Sequence, residues 1–347
     1  MNIFYIVLCS FVLILYVIFP DAAIEGGRNA LSLWASGVAP ALFPFMVLTS
    51  LLASSGSVAV ICRPLERPLR RLFRMPPQFA FILASSFLAG YPTGAKLVED
   101  CVRRGELSRD TASVMVCCTS TSGPMFIVGS VCTAMLGSPR LGTYMLLSHY
   151  AAAIVTSFLC ARTGRIDREY RPVIRKKVSF SAGIMTDAIS GSVRSVLTVC
   201  GTMMLFGSFV NCVMALLPEN AAVRCGLAGL FELATGCGAA SALPLPASVV
   251  AIGFMIGFGG LSVHFQTMAV CKSVRPVMFF LWKLVQGAFS ALFTYAAFAL
   301  SHENVPAVSN MTAVFHPASV NTYTPLLIMV LAACIVYLLY RDCRSTL

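Results

Sequence analysis

Long apolar runs separated by short polar stretches set the pattern of the chain from end to end. A transmembrane helix needs about 20 predominantly apolar residues. Runs of that kind lie at 3–19, 29–56, 108–137, 141–161, 186–217, 248–272, 276–300 and 323–340. Two further apolar segments, 79–107 and 224–247, carry Gly/Pro-rich centres too interrupted for one clean span. They fit hairpins that enter and leave the membrane on one side. The pattern predicts an all-α polytopic membrane protein of about eight transmembrane helices plus two re-entrant hairpins. At the N-terminus, Ile3 to Phe19 is apolar and Asp21-Ala22-Ala23 follows, a loose likeness to a cleavable signal. No Lys or Arg precedes the run, whereas a signal peptide has a charged n-region, so an uncleaved first span is expected.

Composition sharpens the class. Of 347 residues, 58% are apolar and only 11% charged, with a mean hydropathy of +0.83. A soluble domain carries about a quarter charged residues. These values exclude disorder and an ordinary water-soluble enzyme. The fourteen cysteines lie mostly inside apolar runs and show no CxxC or Cys/His zinc spacing, so they read as packing residues rather than as a disulfide framework or metal site.

The net charge of +11 bears on orientation, since Lys and Arg collect on the cytoplasmic side. Arg63, Arg67, Arg70, Arg71 and Arg74 form one cluster. A second holds Arg162, Arg165, Arg168, Arg171, Arg175, Lys176 and Lys177; Lys272 with Arg275 and Arg341 with Arg344 add two basic points. The stretches 217–222 and 301–321 have neither Lys nor Arg. With both termini inside, eight spans and two same-side hairpins place every basic cluster in the cytoplasm. Nucleic acid is not the expected partner of this charge; anionic lipid at the cytoplasmic face is. The Arg63–Arg74 cluster with Leu65, Leu69, Leu72 and Phe73 reads as an interfacial amphipathic helix.

The same bookkeeping exposes a repeat. Span 29–56, hairpin 79–107, broken span 108–137 and span 141–161 are followed by span 186–217, hairpin 224–247, broken span 248–272 and span 276–300. The first unit starts outside and the second inside, giving inverted topology. Matching interruptions in inverted repeats point to a transporter site near the membrane midplane.

Four interruptions carry the candidate chemistry. Gly90-Tyr91-Pro92-Thr93-Gly94-Ala95-Lys96 is the densest helix-breaking element. Irregular backbone at membrane depth survives only inside protein or beside a polar cavity. A helix resuming near Thr93 would aim its N-terminus at such a cavity. Lys96 in its first turn would then meet an anion or a carboxylate such as Glu232; the alternative is a tight loop whose Lys96 reaches the headgroups. Thr119, Ser120, Thr121 and Ser122 precede Gly123-Pro124, either as a self-satisfied kink or as the mouth of a half-helix starting at Pro124. Glu232, before Thr235-Gly236, lies in an apolar context where an unpaired carboxylate costs about 2.5–3.5 kcal/mol. It is the strongest candidate, able to balance Lys96, bind a coupling proton or sodium ion, or contact substrate. Gly257 to Gln266 is the fourth break, where Gly259 and Gly260 free the backbone and His264 and Gln266 offer hydrogen bonds. His149 reads as an interhelical bridge, and Glu99, Asp100, Arg103 and Arg104 as a solvated hairpin end. No Walker loop, GxSxG or HExxH occurs, so neither an enzyme nor a cofactor is expected.

These motifs, together with Pro40-Ala41-Leu42-Phe43-Pro44-Phe45 and Phe231-Glu232-Leu233, resemble the sporulation integral membrane proteins of the YlbJ type, which carry paired nucleoside-recognition (Gate) domains. The resemblance runs over about 29–340. It divides the chain into an N-terminal anchor 1–28, a first Gate-like repeat 29–161, a basic cytoplasmic linker 162–185, a second Gate-like repeat 186–300, and 301–347 with an external loop, the last span and a short basic tail. It implies a role in endospore formation in a Gram-positive bacterium, with transport of a small organic anion, dipicolinic acid, across the outer forespore membrane. The alternatives are a nucleoside or other organic-anion transporter of the Gate type, and a non-transporting scaffold of spore morphogenesis.

Overall fold

The computed structural model of the chain describes residues 2–54, 58–167, 182–217 and 220–301. The basic linker from 168 to 181, the expected external loop and last span after 301, and the C-terminal basic tail lie outside the described residues.

The described residues are helical throughout, without strands. The chain runs through α1 (Asn2–Ile18), α2 (Pro20–Leu33), a π-helical turn (Trp34–Val38) and α3 (Ala39–Ser54). It continues through α4 (Val58–Phe73), α5 (Gln78–Ala89), α6 (Thr93–Arg103), α7 (Arg109–Thr119) and a second π-helical segment (Met125–Met135). Then follow α8 (Pro139–Thr163), α9 (Ala182–Leu216), α10 (Ala221–Phe231), α11 (Leu233–Ser241), α12 (Ala247–Phe258), α13 (Gly260–Val270) and α14 (Pro276–Ser301).

Among the described residues, four helical stretches are long and apolar enough to cross a membrane: α8, α9, α12 with α13, and α14. The number is up to six if each of two bent pairs counts as one span. One bent pair corrects the expected boundaries. The spans read at 3–19 and 29–56 are instead α1 and a helical path that starts at Pro20, the two meeting at 103°. Pro20 occupies the first turn of α2, where its missing N–H costs nothing and its fixed φ favours a fresh start.

Boundaries elsewhere follow local chemistry. Ser108 accepts from the Thr111 amide at the start of α7, Ser138 from Leu141 at the start of α8, and Asn220 from Ala222 and Val223 at the start of α10. These caps satisfy amides that a helix start leaves unpaired. Long helices pack through small residues. A side-chain carbon on Gly26 would meet the Gly207 carbonyl at 2.5 Å, joining α2 to α9, and one on Gly257 would meet the Gly287 Cα at 2.7 Å, joining α12 to α14. In lipid, close backbone approach of this kind drives helix association. Large apolar side chains such as Leu197, Val277 and Leu281 are exposed, while Ser122, Thr267 and Gln286 are buried. That reversal of the water-soluble pattern is what a lipid surround requires.

Two peripheral expectations change. In α4, Phe73 is fully buried, its ring tilted against that of Phe79 at 5.2 Å, while Leu65 and Leu72 are exposed. Phe73 therefore belongs to the protein core and not to an interfacial face. Glu99 is buried, not solvated: it accepts from the Lys272 amide at 3.2 Å and pairs with Arg103. Asp110 pairs with Arg275 nearby along the chain. Together these contacts tie the first half to the turn between α13 and α14.

Candidate functional site

The four interruptions of the sequence are four real breaks, and they meet. Helix α5 ends at Gly90, whose φ of +76° is open to glycine. Its amide still reaches the Ser86 carbonyl at 2.8 Å. Tyr91 and Pro92 turn the chain, and α6 begins at Thr93. A side-chain carbon on Gly90 would lie 2.6 Å from the Gly123 amide nitrogen, so the first break is pressed backbone to backbone on the second. Gly94 approaches the Thr119 carbonyl in the same way, and the Thr121 hydroxyl donates to the Ser86 carbonyl at 3.2 Å.

In the second break, between α7 and the π-helical segment at 125–135, the hydroxyls divide their work. Thr119 bonds back to Met115 within its own helix. Ser122 donates its hydroxyl to the Ile256 carbonyl at 3.3 Å and its amide to His149 Nε2 at 3.2 Å. Ser120 Oγ is buried with no partner among the described residues. The hydroxyls of Thr119, Thr121 and Ser122 are thus satisfied by backbone carbonyls of the protein. His149 is the interhelical bridge the sequence suggested, fixing α8 to the break.

The third break is a single residue wide. Glu232 has extended backbone between α10 and α11 and accepts from the Thr235 amide with Oε2 at 2.6 Å. A carboxylate at a helix start meets both an unpaired amide and the positive end of the dipole. Glu232 is 3% exposed, and no Lys or Arg forms an ion pair with it among the described residues. Gly236 packs against Gly229 and lets the two short helices close tightly. The fourth break is Gly259-Gly260, with φ of +88° and +70°. A side-chain carbon on Gly260 would lie 3.1 Å from the Leu233 amide nitrogen, and one on Gly259 3.3 Å from the Tyr91 hydroxyl. Breaks three and four thus touch each other, and Tyr91 links them to breaks one and two.

A partly open cleft lies where they converge, with about 60 Å³ of cavity space. Its polar groups are Tyr91, Ser122, Glu232 and Gln266. Phe126, Leu42, Val38, Val263 and the α9 residues Val199 and Met203 supply an apolar wall. A mostly apolar recess with a few converging polar groups suits a small organic molecule. Gln266 is itself fixed, donating to Thr202 of α9 at 2.6 Å.

Of the residues singled out from sequence, Tyr91, Ser122, Gly123, Glu232 and Gln266 line the cleft. Gly90, Pro92, Thr93, Gly94, Thr119, Ser120, Thr235, Gly236, Gly259 and Gly260 build the breaks without lining it. Two expectations are corrected. Lys96 does not approach Glu232; its Nζ packs against Gly191 of α9, because it stands a turn into α6 and projects away from the break. His264 does not face the cleft either. Its Nδ1 lies 2.6 Å from the Gly260 carbonyl, and its ring sits 4.9 Å from both Phe258 and Phe279.

One central group escaped the sequence reading. Lys283 of α14 is fully buried. Its Nζ donates to the Ser120 carbonyl at 2.7 Å and to Gln286 Oε1 at 2.7 Å, and lies 5.1 Å from the centre of the Tyr91 ring. The signal was present: a lysine seven residues into an apolar run is an intramembrane ionisable residue. That run forms one unbroken helix, α14, unlike the four interrupted segments.

Fold and centre together define a polytopic helical membrane protein whose buried polar groups gather where helices are interrupted. The chain is similar to the sporulation integral membrane protein YlbJ of Bacillus subtilis (strain 168), being 28% identical over 316 residues, which covers 79% of this chain and 77% of that protein. The likeness to the YlbJ type carried by the motifs therefore extends over most of both chains. No family model matches the chain, and no solved structure does.

Proposed function

We propose that the protein is a sporulation-associated transporter that moves a small organic solute by alternating access around the cleft. One observation carries this reading: four separate helix breaks converge on one partly open recess that holds a buried carboxylate. Interrupted helices meeting at a shared polar site are the arrangement secondary transporters use. The order of elements supports two inverted repeats in an eight-span chain. A hairpin (α5–α6), a broken span (α7 with 125–135) and a long helix (α8) have counterparts in α10–α11, α12–α13 and α14. Both termini are then cytoplasmic, and the outer forespore membrane is the proposed location, following the YlbJ-type resemblance of the motifs.

Dipicolinic acid is the first candidate substrate, following the YlbJ-type resemblance. Tyr91, Phe126 and the aliphatic wall offer apolar surfaces against which an aromatic ring would pack. The cleft lining contains Glu232 and no Lys or Arg, so a diacid would enter with a proton shared at Glu232. That same lining favours a second reading, a nucleoside, whose neutral ring and hydroxyl donors pair with a carboxylate directly. Uptake of labelled dipicolinate and labelled nucleosides into vesicles reconstituted with the purified protein tests both. Accumulation of dipicolinate, reduced in Glu232→Gln, is the expected result. Preference for nucleosides would select the second reading, and movement of neither solute would refute transport.

A further inference from the structure

Behind the cleft, on the far side of the Tyr91 ring, lies a second polar centre that the transport reading above does not use. Along α14, Lys283, Gln286, Ser290 and Thr294 follow at spacings of three and four and are all buried on one face. Lys283 is the charged member. An ammonium has three donors and no acceptor, and three electron-rich partners meet it: the Ser120 carbonyl, Gln286 Oε1 and the face of Tyr91. Ser120 terminates α7, where the helix dipole presents its negative end. No ion pair among the described residues includes Lys283. A buried cation held by a helix end and an amide, without a carboxylate, is a cation site whose occupant is part of the chain.

Four titratable side chains among the described residues surround Lys283. The titratable groups facing it are Cys117 of α7, His149 of α8, His264 of α13 and Tyr91; α12, packed alongside, has none. His149 accepts an amide proton at Nε2, which leaves its imidazole neutral, and His264 donates Nδ1 to the Gly260 carbonyl. Gln286 is suited to both states of the amine. Its Oε1 now accepts from the ammonium, while its Nε2 is buried with no partner. Turned over, the amide donates to the lone pair of a neutral lysine, and the bond to the Ser120 carbonyl is no longer needed.

We propose that Lys283 is the proton-binding site that couples transport to the proton gradient. In the protonated state its ammonium clasps the broken end of α7 to α14. Loss of that proton to water on one side of the membrane opens the clasp. Tyr91 relays the change, since one face of its ring receives Lys283 and the residue lines the cleft. The ligand of this second site is a proton, and sodium has no place in it because the lysine fills the cation position. The inference rests on the transporter reading and deepens it.

The test uses full-length protein in vesicles, with labelled dipicolinate and nucleosides as probes, under an imposed pH gradient, an imposed sodium gradient, or no gradient with excess unlabelled solute inside. The wild type is expected to accumulate solute under the pH gradient and not under the sodium gradient. Lys283→Gln is expected to retain exchange of labelled for unlabelled solute while losing gradient-driven accumulation. Lys283→Arg, which keeps the charge but cannot release its proton, is expected to lose accumulation as well, and it serves if the glutamine variant does not fold. Wild-type transport indifferent to the pH gradient would overturn the proton site while leaving transport intact. So would accumulation preserved in either lysine variant, or accumulation lost in His264→Gln and kept in Lys283→Gln. A wild type that neither accumulates nor exchanges any probe would overturn the transporter reading and this one with it.

Discussion

The two hairpins use one device and reach different ends. Helices α5 and α6 are separated by a turn of three residues, and α10 and α11 by Glu232 alone. The first hairpin carries its ionisable side chain one turn beyond the break, at Lys96, and that side chain leaves the centre for α9. The second carries it on the break, at Glu232, where it caps its own helix and faces the cleft. A helix turns about 100° per residue, so a displacement of a few positions decides whether a charge looks into a site or away from it. The hairpins also differ in support. The tip of the first is wedged against Gly123, while that of the second is held by its own capping carboxylate. The first is a structural strut that lends Tyr91 to the cleft, and the second brings the charge.

Four substitutions sharpen or break this contrast. The largest loss is expected for Gly90→Ala, which forces a side chain into a left-handed conformation and against the Gly123 backbone. Strain and overpacking together cost about 2–4 kcal/mol. Thermal unfolding in detergent reads the effect, with Gly105→Ala as the comparison. Gly105 has φ of +71° but open space around it, so only the conformational cost of about 1–2 kcal/mol remains. Equal losses in the two variants would show that the first two breaks do not bear on each other. Next, Glu232→Ala is expected to abolish solute uptake while lowering stability by about 1 kcal/mol, the usual worth of a helix cap. Ser122→Ala removes the bond to the Ile256 carbonyl and is expected to cost about 1 kcal/mol in the same melt. The smallest effect is expected at Lys96→Gln, which should leave uptake near the wild-type rate. A Lys96 variant as inactive as the Glu232 variant would erase the distinction between the hairpins.

The breaks were legible in the sequence because glycine, proline and consecutive hydroxyls interrupt apolar runs that otherwise have no reason to stop. Glu232 was legible for a related reason, since a carboxylate among leucine, phenylalanine and alanine must be held by something. What holds it was not legible. A charge partner at Lys96 was the natural expectation, yet its partner is the Thr235 amide three residues on, and side-chain direction in α6 depends on a helix start that the sequence places only to within a turn. His264 was drawn toward the site by its neighbours in sequence, whereas the aromatic rings of Phe258 and Phe279 enclose it. Lys283 was not legible as part of the centre. Its helix is unbroken, and the carbonyl it holds comes from Ser120, far away along the chain.

The central claim is that the recess at the four breaks is the solute site and opens to each side of the membrane in turn. Ala234 lines that recess. In a protein with Cys9, Cys62, Cys334 and Cys343 replaced by serine, the reaction of Ala234→Cys with a membrane-impermeant thiol reagent, measured in right-side-out and inside-out vesicles, tests the claim most directly. Labelling from both sides, slowed by saturating dipicolinate or nucleoside, is the predicted result. Labelling from neither side, or at a rate that no solute changes, would contradict it.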